Sequence, residues 1–305
     1  MLAIDANHLH KSFGPVTAVD DVSIAIPPGS IFGFLGPNGA GKTTTIRMIT
    51  GVLIPDHGSV QVLGTDVLRY PLEAKLKMGV IPENGTVYSD LTALQNILLI
   101  AKFYGMDKRS REARAEEILA MLELRERRND MVRTFSKGMR QRISIACAIV
   151  HAPPVLILDE PTTGLDVHSR RLVIETVRLM NRHGSTILLT THNIEEANEL
   201  CSVISIINRG RIVANGSPEK LKATFDTSRY IEISFEQVVE RTIFTHPDIN
   251  RVESWGDKWR VYSQNLDTLV KYLADLAREQ DLTIISIATS SPSLEEAFVQ
   301  LTGEE

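Results

Sequence analysis

Residues 31–44 read IFGFLGPNGAGKTT, an uncharged apolar run that empties into a glycine-rich loop ending in lysine and threonine. The apolar part fits a buried strand, and the loop then opens the next helix, the context in which the pattern GxxxxGK[ST] carries meaning. Gly36, Gly39 and Gly41 let the backbone curl so that successive N–H groups converge on one anion. Pro37, Asn38, Ala40 and Thr44 complete the expected phosphate loop. The helix N-terminus adds its partial positive charge. Lys42 is expected to reach the β- and γ-phosphates, and Thr43 to offer a hydroxyl to Mg²⁺. The stretch implies a chain that binds a nucleoside triphosphate.

A second half-site is expected at Val155-Leu156-Ile157-Leu158-Asp159-Glu160, where an apolar run ends in adjacent carboxylates. Such a run fits a strand buried on both faces of a parallel sheet. Ligands of open α/β sheets sit outside the carboxyl ends of the strands, so Asp159 and Glu160 should emerge beside the phosphate loop. Asp159 is the expected Mg²⁺ partner, through water. Glu160, left free by the metal, is the expected general base or water-orienting group facing the γ-phosphate.

Between the halves lies Thr134-Phe135-Ser136-Lys137-Gly138-Met139-Arg140-Gln141-Arg142, just ahead of a helical stretch. It resembles the signature motif of ABC transporter ATPases, whose commonest form is LSGGQ. Phe135, Lys137, Met139 and Arg140 depart from that form, and SKGMRQR resembles a variant of exporter ATPases. Ser136 and Gly138 remain, and the resemblance makes them grip the γ-phosphate held by an opposite subunit. Physically, Ser136 reads as an N-cap whose hydroxyl and helix N–H groups form a second anion site.

Other family features follow in order over about residues 1 to 220. Phe13 resembles the aromatic that stacks on adenine, a contact worth ~1–3 kcal/mol per base in nucleic-acid systems. Thr163-Gly164-Leu165-Asp166 resembles the loop that communicates across the dimer, and His192, closing Leu188-Leu189-Thr190-Thr191-His192, resembles the switch histidine that stabilises developing charge. Glu83 stands where the family usually has Gln. Both side chains can present oxygen to Mg²⁺, and only Glu brings a charge. The resemblance implies an α/β P-loop ATPase of ABC type, with a mixed sheet core, an antiparallel β subdomain and a helical subdomain.

The bulk properties agree. The chain has 305 residues, 43% of them hydrophobic, and a formal net charge of −5, enough for one large and one small domain. Its two cysteines, Cys147 and Cys201, sit in apolar surroundings without metal or disulfide spacing and read as small core residues. The longest apolar stretch, Ile143 to Leu158, is interrupted by His151, Pro153 and Pro154, short of the ~20 residues a membrane span needs. Nothing at the N-terminus reads as a signal peptide. A transport pore would therefore belong to another chain, with this one on the cytoplasmic face of the cell membrane.

The expected organisation is an ATPase domain over 1–220 and a small domain over 221–305. An antiparallel β region is expected near 1–32, the phosphate-loop helix from Lys42 to Gly51, and a helical insertion from Asn84 to Ala152. In that insertion Ser110 to Arg128 reads as an amphipathic helix with Ala115, Ile118, Leu119 and Leu122 on one face. Turns are expected at Asn208-Arg209-Gly210 and at Asn215-Gly216-Ser217-Pro218. From Leu221 onward 8 basic side chains face 15 acidic ones, a balance that repels nucleic acid. Strands at 230–235 and 282–288, a short helix from Gln237, a hairpin turning at Gly256-Asp257 and a helix at 266–279 would give the ferredoxin-like order βαββαβ. Ser293 to Thr302 resembles the terminal helix of exporter ATPases of the drug, sodium and carbohydrate type.

The sequence thus implies ATP and Mg²⁺ as cofactors. Expected partners are separate transmembrane permease subunits and a second copy of the chain or a similar ATPase subunit. The alternative is a soluble ABC ATPase acting on ribosomes or DNA repair. Such proteins usually carry two cassettes or a long coiled coil, and neither is legible here. A nucleotide-dependent regulator without turnover would typically have lost Glu160 or His192.

Overall fold

The computed structural model describes residues 1–83, 87–223, 229–290 and 294–302. The chain folds as two compact units, Met1–Pro218 and Glu219–Glu305. The first unit opens with β1 (Ile4–Phe13), β2 (Val16–Ile26), β3 (Ile31–Leu35), α1 (Lys42–Ile49), β4 (His57–Val62), β5 (Thr65–Asp66), α2 (Pro71–Leu76) and β6 (Met78–Ile81). It continues through α3 (Ala93–Phe103), α4 (Lys108–Met121), α5 (Lys137–Ile149), β7 (Val155–Asp159), α6 (Val167–Arg182), β8 (Thr186–Thr191), α7 (Ile194–Leu200), β9 (Val203–Asn208) and β10 (Arg211–Gly216). The short α8 (Pro218–Ala223) follows at the boundary.

Every residue of β3, β7 and β8 is buried, as expected of strands covered on both faces. They lie in a six-stranded sheet of order β10-β9-β3-β8-β7-β6, parallel except for the β9–β10 hairpin. One consequence is that β8 stands between the strand of the phosphate loop and the strand that ends in Asp159 and Glu160. A second sheet, β2-β1-β4-β5, is antiparallel. Its inward residues, such as Ile4, Leu9 and Val22, share one core with Ile46 and Ile49 of α1 and with Phe32, Phe34 and Ile157 of the large sheet. The antiparallel region therefore draws its second half from β4 and β5, while Ile31 and Phe32 belong to the parallel sheet.

Within 84–152, α3, α4 and α5 pack on one another, with Asn84, where the insertion was expected to begin, outside the described residues. Thr92 caps α3 through a reciprocal box with Gln95, and Asp107 caps α4. The helix expected to run to Arg128 stops at Met121, and Glu123 takes a left-handed φ of 55°. Leu122 and Leu124, past the last helical residue, are both buried there. The Arg142 guanidinium donates to the Leu122 carbonyl at 3.0 Å and holds the break.

The turn at Arg209-Gly210 is a two-residue hairpin with φ of 48° and 79°. Asn215 and Gly216, read as a turn, instead pair with Ser205 and Ile204 as the end of β10. Likewise α1 ends at Ile49, with Thr50 as its cap.

The second unit contains β11 (Tyr230–Phe235), β12 (Arg251–Trp255), β13 (Lys258–Tyr262), α9 (Leu266–Glu279), β14 (Ile284–Ser290) and α10 (Leu294–Thr302). The sheet order β12-β13-β11-β14, antiparallel at each pairing, is that of a ferredoxin-like sheet. Its first helix is missing. Where a helix was expected from Gln237, the chain makes only a 3₁₀ turn at Arg241–Ile243. Gln237 is occupied otherwise, accepting from the Thr283 N–H at 2.9 Å and tying the segment to the residue just ahead of β14. That last strand is shifted by two residues from 282–288. Leu269, Leu273 and Leu276 of α9 close the core over Ile231, Ile233 and Val261. Ser293, expected in the terminal helix, lies outside the described residues.

Candidate active site

The phosphate loop leaves β3 at Gly36, which is pressed so close to β9 that a Cβ there would lie 2.5 Å from the Ile207 carbonyl oxygen. Gly41 ends the loop at φ 107°, and a Cβ would meet the Ala18 carbonyl oxygen at 2.5 Å. Both constraints demand glycine. Ala40 is buried behind the loop, and Gly210 donates to its carbonyl. The Lys42 ammonium, 6% exposed, donates to the carbonyls of Gly36 at 2.6 Å and Pro37 at 3.1 Å.

Pro37, Asn38, Gly39, Gly41, Lys42, Thr43 and Thr44 line a cavity of about 330 Å³. Glu83 and Glu160 form other parts of the wall, and Ala18 is a further contributor. The tertiary fold has thus carried residues more than a hundred positions apart to one cleft. Lys42 Nζ stands 3.3 Å from Glu160 Oε1, within ion-pair reach, but Oε1 receives no aligned hydrogen bond although it is buried.

Glu160 is held from several sides. Its φ of 51° is left-handed, a conformation that costs a residue with a Cβ about 1–2 kcal/mol and persists only where the surroundings enforce it. Thr190, on β8, supplies that enforcement. Its carbonyl and its hydroxyl both accept from the Glu160 N–H, at 3.2 and 3.0 Å, and the hydroxyl donates to Asp159 Oδ1 at 2.6 Å. Glu160 Oε2 accepts from the Thr163 hydroxyl at 2.9 Å and lies 2.8 Å from His192 Nδ1. A carboxylate only accepts, so the Nδ1 proton is on the histidine. His192 Nε2 can then donate toward a phosphate only from the imidazolium.

Asp159 is 2% exposed at the end of β7. Among the described residues no three His, Cys, Asp or Glu side chains form a ready-made metal cluster. The oxygens of Thr43, Glu83 and Asp159 are nevertheless the hard donors Mg²⁺ takes, and Mg²⁺ usually draws one or two carboxylates from a protein and the rest from water and phosphate.

Gly36, Ala40, Asp159 and His192 stand behind or beside the lining of this cavity rather than in it, and Phe13, Ser136, Gly138 and Asp166 lie elsewhere. Phe13 is half-exposed at the end of β1, with the Lys11 ammonium 5.8 Å from its ring centre. Ser136 is exposed and caps α5, accepting from Met139 N–H at 3.2 Å. Gly138 is buried against α6, where a Cβ would lie 2.2 Å from Ser169 Oγ. Asp166 caps α6 by accepting from the Ser169 N–H and hydroxyl, which hold its carboxyl below the usual range.

Thr190 was not among the sequence candidates, nor was Glu196. The signal for Thr190 was present: a hydroxyl inside a strand buried along its whole length must have a partner. Glu196 is buried at 1% exposure and accepts from the hydroxyls of Thr162 at 2.7 Å and Thr191 at 3.1 Å. Burial pushes its carboxyl above the usual range, and those hydroxyls pull it back. Both cysteines are buried, and burial raises their thiols, that of Cys147 to about 12.

Residues 19–163 match the family model described as ABC transporter. The chain is 34% identical to the linearmycin resistance ATP-binding protein of Bacillus subtilis over 98% of each chain. It is 36% identical to the Nod factor export ATP-binding protein I of Sinorhizobium fredii, over 100% of this chain and 87% of that one. Among solved structures, the ATP-binding subunit of an ABC transporter superposes with TM-score 0.69 at 30% identity, covering 74% of this chain and 93% of that one. A dimeric, post-hydrolysis ATP-binding cassette bound to ADP and phosphate gives 0.65 at 25% identity, covering 70% and 98%.

Proposed function

Because the chain belongs to the ABC transporter family of ATP-binding proteins, we propose that it hydrolyses ATP to energise export through separate membrane-spanning permease subunits. The names of its relatives, linearmycin resistance and Nod factor export, favour export over work on ribosomes or DNA. No helix among the described residues is long and apolar enough to cross a membrane. In this reading the permeases form the pore and the chain sits against their cytoplasmic face.

The observation that carries the reading is a buried carboxylate, Glu160, in one cavity with the phosphate loop and 3.3 Å from Lys42. Lys42 and the loop N–H groups bind the β- and γ-phosphates. Glu160 takes the proton from, or orients, the attacking water; His192 and Thr163 hold its Oε2, which leaves Oε1, beside Lys42, without a hydrogen bond of its own. Thr43, Glu83 and, through water, Asp159 would hold Mg²⁺, which would supply positive charge to offset that on the phosphates. Phe13 stacks on the base. Ser136, Gly138 and Asp166, away from the chain's own phosphate loop, serve the nucleotide of a second copy or similar subunit. The 1–220 region is the ATPase domain and 221–305 an accessory domain.

Glu160→Gln tests this. The amide keeps the shape and loses the basicity, so ATP binding should remain while turnover falls by roughly 10²-fold or more. By light scattering the variant should double in mass with ATP and stay monomeric with ADP. Turnover within a few-fold of the parent would remove Glu160 from the role of base.

A further inference from the structure

Asn193 caps α7, its side chain accepting from the Glu196 N–H at 2.9 Å. Asn at the cap with Glu three residues on is the pattern in which the Glu side chain reaches back to the cap's own N–H. Here that N–H goes to Thr191 Oγ1 at 2.9 Å, and the Glu196 carboxylate turns into the protein. Oε2 accepts from Thr162 and Thr191, and Oε1 is buried without a hydrogen bond. A surface cap would avoid the cost of burying a carboxylate in this way.

The two hydroxyls identify what that burial achieves. Thr162 lies two residues after Glu160, and Thr191 immediately precedes His192. One oxygen atom thus joins the segment carrying Glu160 to the segment carrying His192, whose side chains meet at 2.8 Å. Thr190 fixes the Glu160 backbone from the strand side, and no described hydrogen bond of Thr190 reaches residues 161–163 or His192.

We propose that Glu196 is a positioning residue for ATP hydrolysis: through Thr162 and Thr191 it sets the register between Glu160 and His192. The inference rests on the hydrolytic reading of Glu160. No described hydrogen bond or ion pair joins Glu196 to the loop residues that hold phosphate, so its loss acts on the chemical step and spares binding.

The test compares Glu196→Leu, Glu196→Gln and Thr162→Val/Thr191→Val in the full-length chain, with ATP titration and steady-state turnover for each. Leucine removes both acceptors and should lower kcat about 10–100-fold, the scale of a misplacement of about 1 Å, with ATP affinity within about 3-fold of the parent. Glutamine retains an oxygen that accepts two bonds and should restore kcat to within about 3-fold. The double threonine variant should reproduce the leucine defect and add little to it when combined, as expected for groups acting in one chain of contacts. A folded Glu196→Leu protein with unchanged kcat overturns the proposal. So does a glutamine variant as impaired as leucine, or equal losses of affinity and kcat. If Glu196→Leu does not fold, the threonine pair decides, and unchanged kcat there overturns the proposal as well. Failure of the underlying reading is separate, for it appears as turnover surviving in Glu160→Gln.

Discussion

Thr190→Val exchanges a hydroxyl for a methyl of nearly the same size at a position with no solvent exposure. The lost group donates at 2.6 Å to the buried Asp159 carboxylate and accepts at 3.0 Å from the Glu160 N–H. The second loss is softened, because that N–H keeps the Thr190 carbonyl at 3.2 Å. The first is not, and a hydrogen bond to a charged group is worth about 1.5–3 kcal/mol. The expected destabilisation is therefore ~2 kcal/mol, and at about 2–4 °C per kcal/mol for a unit of this size the melting midpoint should fall by ~4–8 °C. Thr190→Ser keeps the hydroxyl and should fall by less than half as much. Thermal melts read both values, and ATP turnover read beside them should fall in the valine variant, where the left-handed Glu160 backbone loses one of its two anchors. A valine variant melting within ~1 °C of the parent, or a serine variant as unstable as valine, would refute the assignment of Thr190 as the latch between β7 and β8.

Gly138→Ala places a methyl 2.2 Å from Ser169 Oγ and forces that side chain off Asp166, at a cost of about 1–3 kcal/mol. Chemical denaturation should show the loss, and parental stability would mean that α5 and α6 separate freely. His151 stacks on Tyr104 at 3.5 Å, and burial depresses its pKa to about 4 against a usual 6.5. The unfolded state therefore takes up this proton first. Stability present above pH 6.5 is lost as the pH falls toward 4, by about 1–3 kcal/mol after solvent screening. His151→Phe keeps a ring against Tyr104, so its melting midpoint should vary less with pH across that window. An identical slope in both proteins would sink the assignment.

Several elements were legible from local pattern because local pattern is the same thing as local burial. The uninterrupted apolar runs at 31–35 and 155–159 became strands covered on both faces, β11 and α9 fell at the expected residues, and Asn208-Arg209-Gly210 marked the β9–β10 turn. The glycine spacing of the phosphate loop was equally readable, since backbone curvature is a property of adjacent residues. Where the expectations failed, a distant partner had outweighed the local preference. The helix from Ser110 ends early at the left-handed Glu123, where Leu122 and Leu124 are buried and Arg142 from α5 takes the freed Leu122 carbonyl. The helix from Gln237 is absent where that side chain bonds across to Thr283.

What the amino-acid order alone determined was the set of chemical groups: a loop able to cradle phosphates, a carboxylate at a strand end, and a histidine at another. Which of them meet was decided by the strand order β3-β8-β7. Inserting β8 between the loop strand and the carboxylate strand puts Thr190 against Asp159 and His192 against Glu160, and α7 then delivers Glu196 to both segments. Side-chain periodicity reports only whether a position faces inward. The identity of its neighbour depends on pairing between segments about 30 or more residues apart, which no short-range pattern encodes.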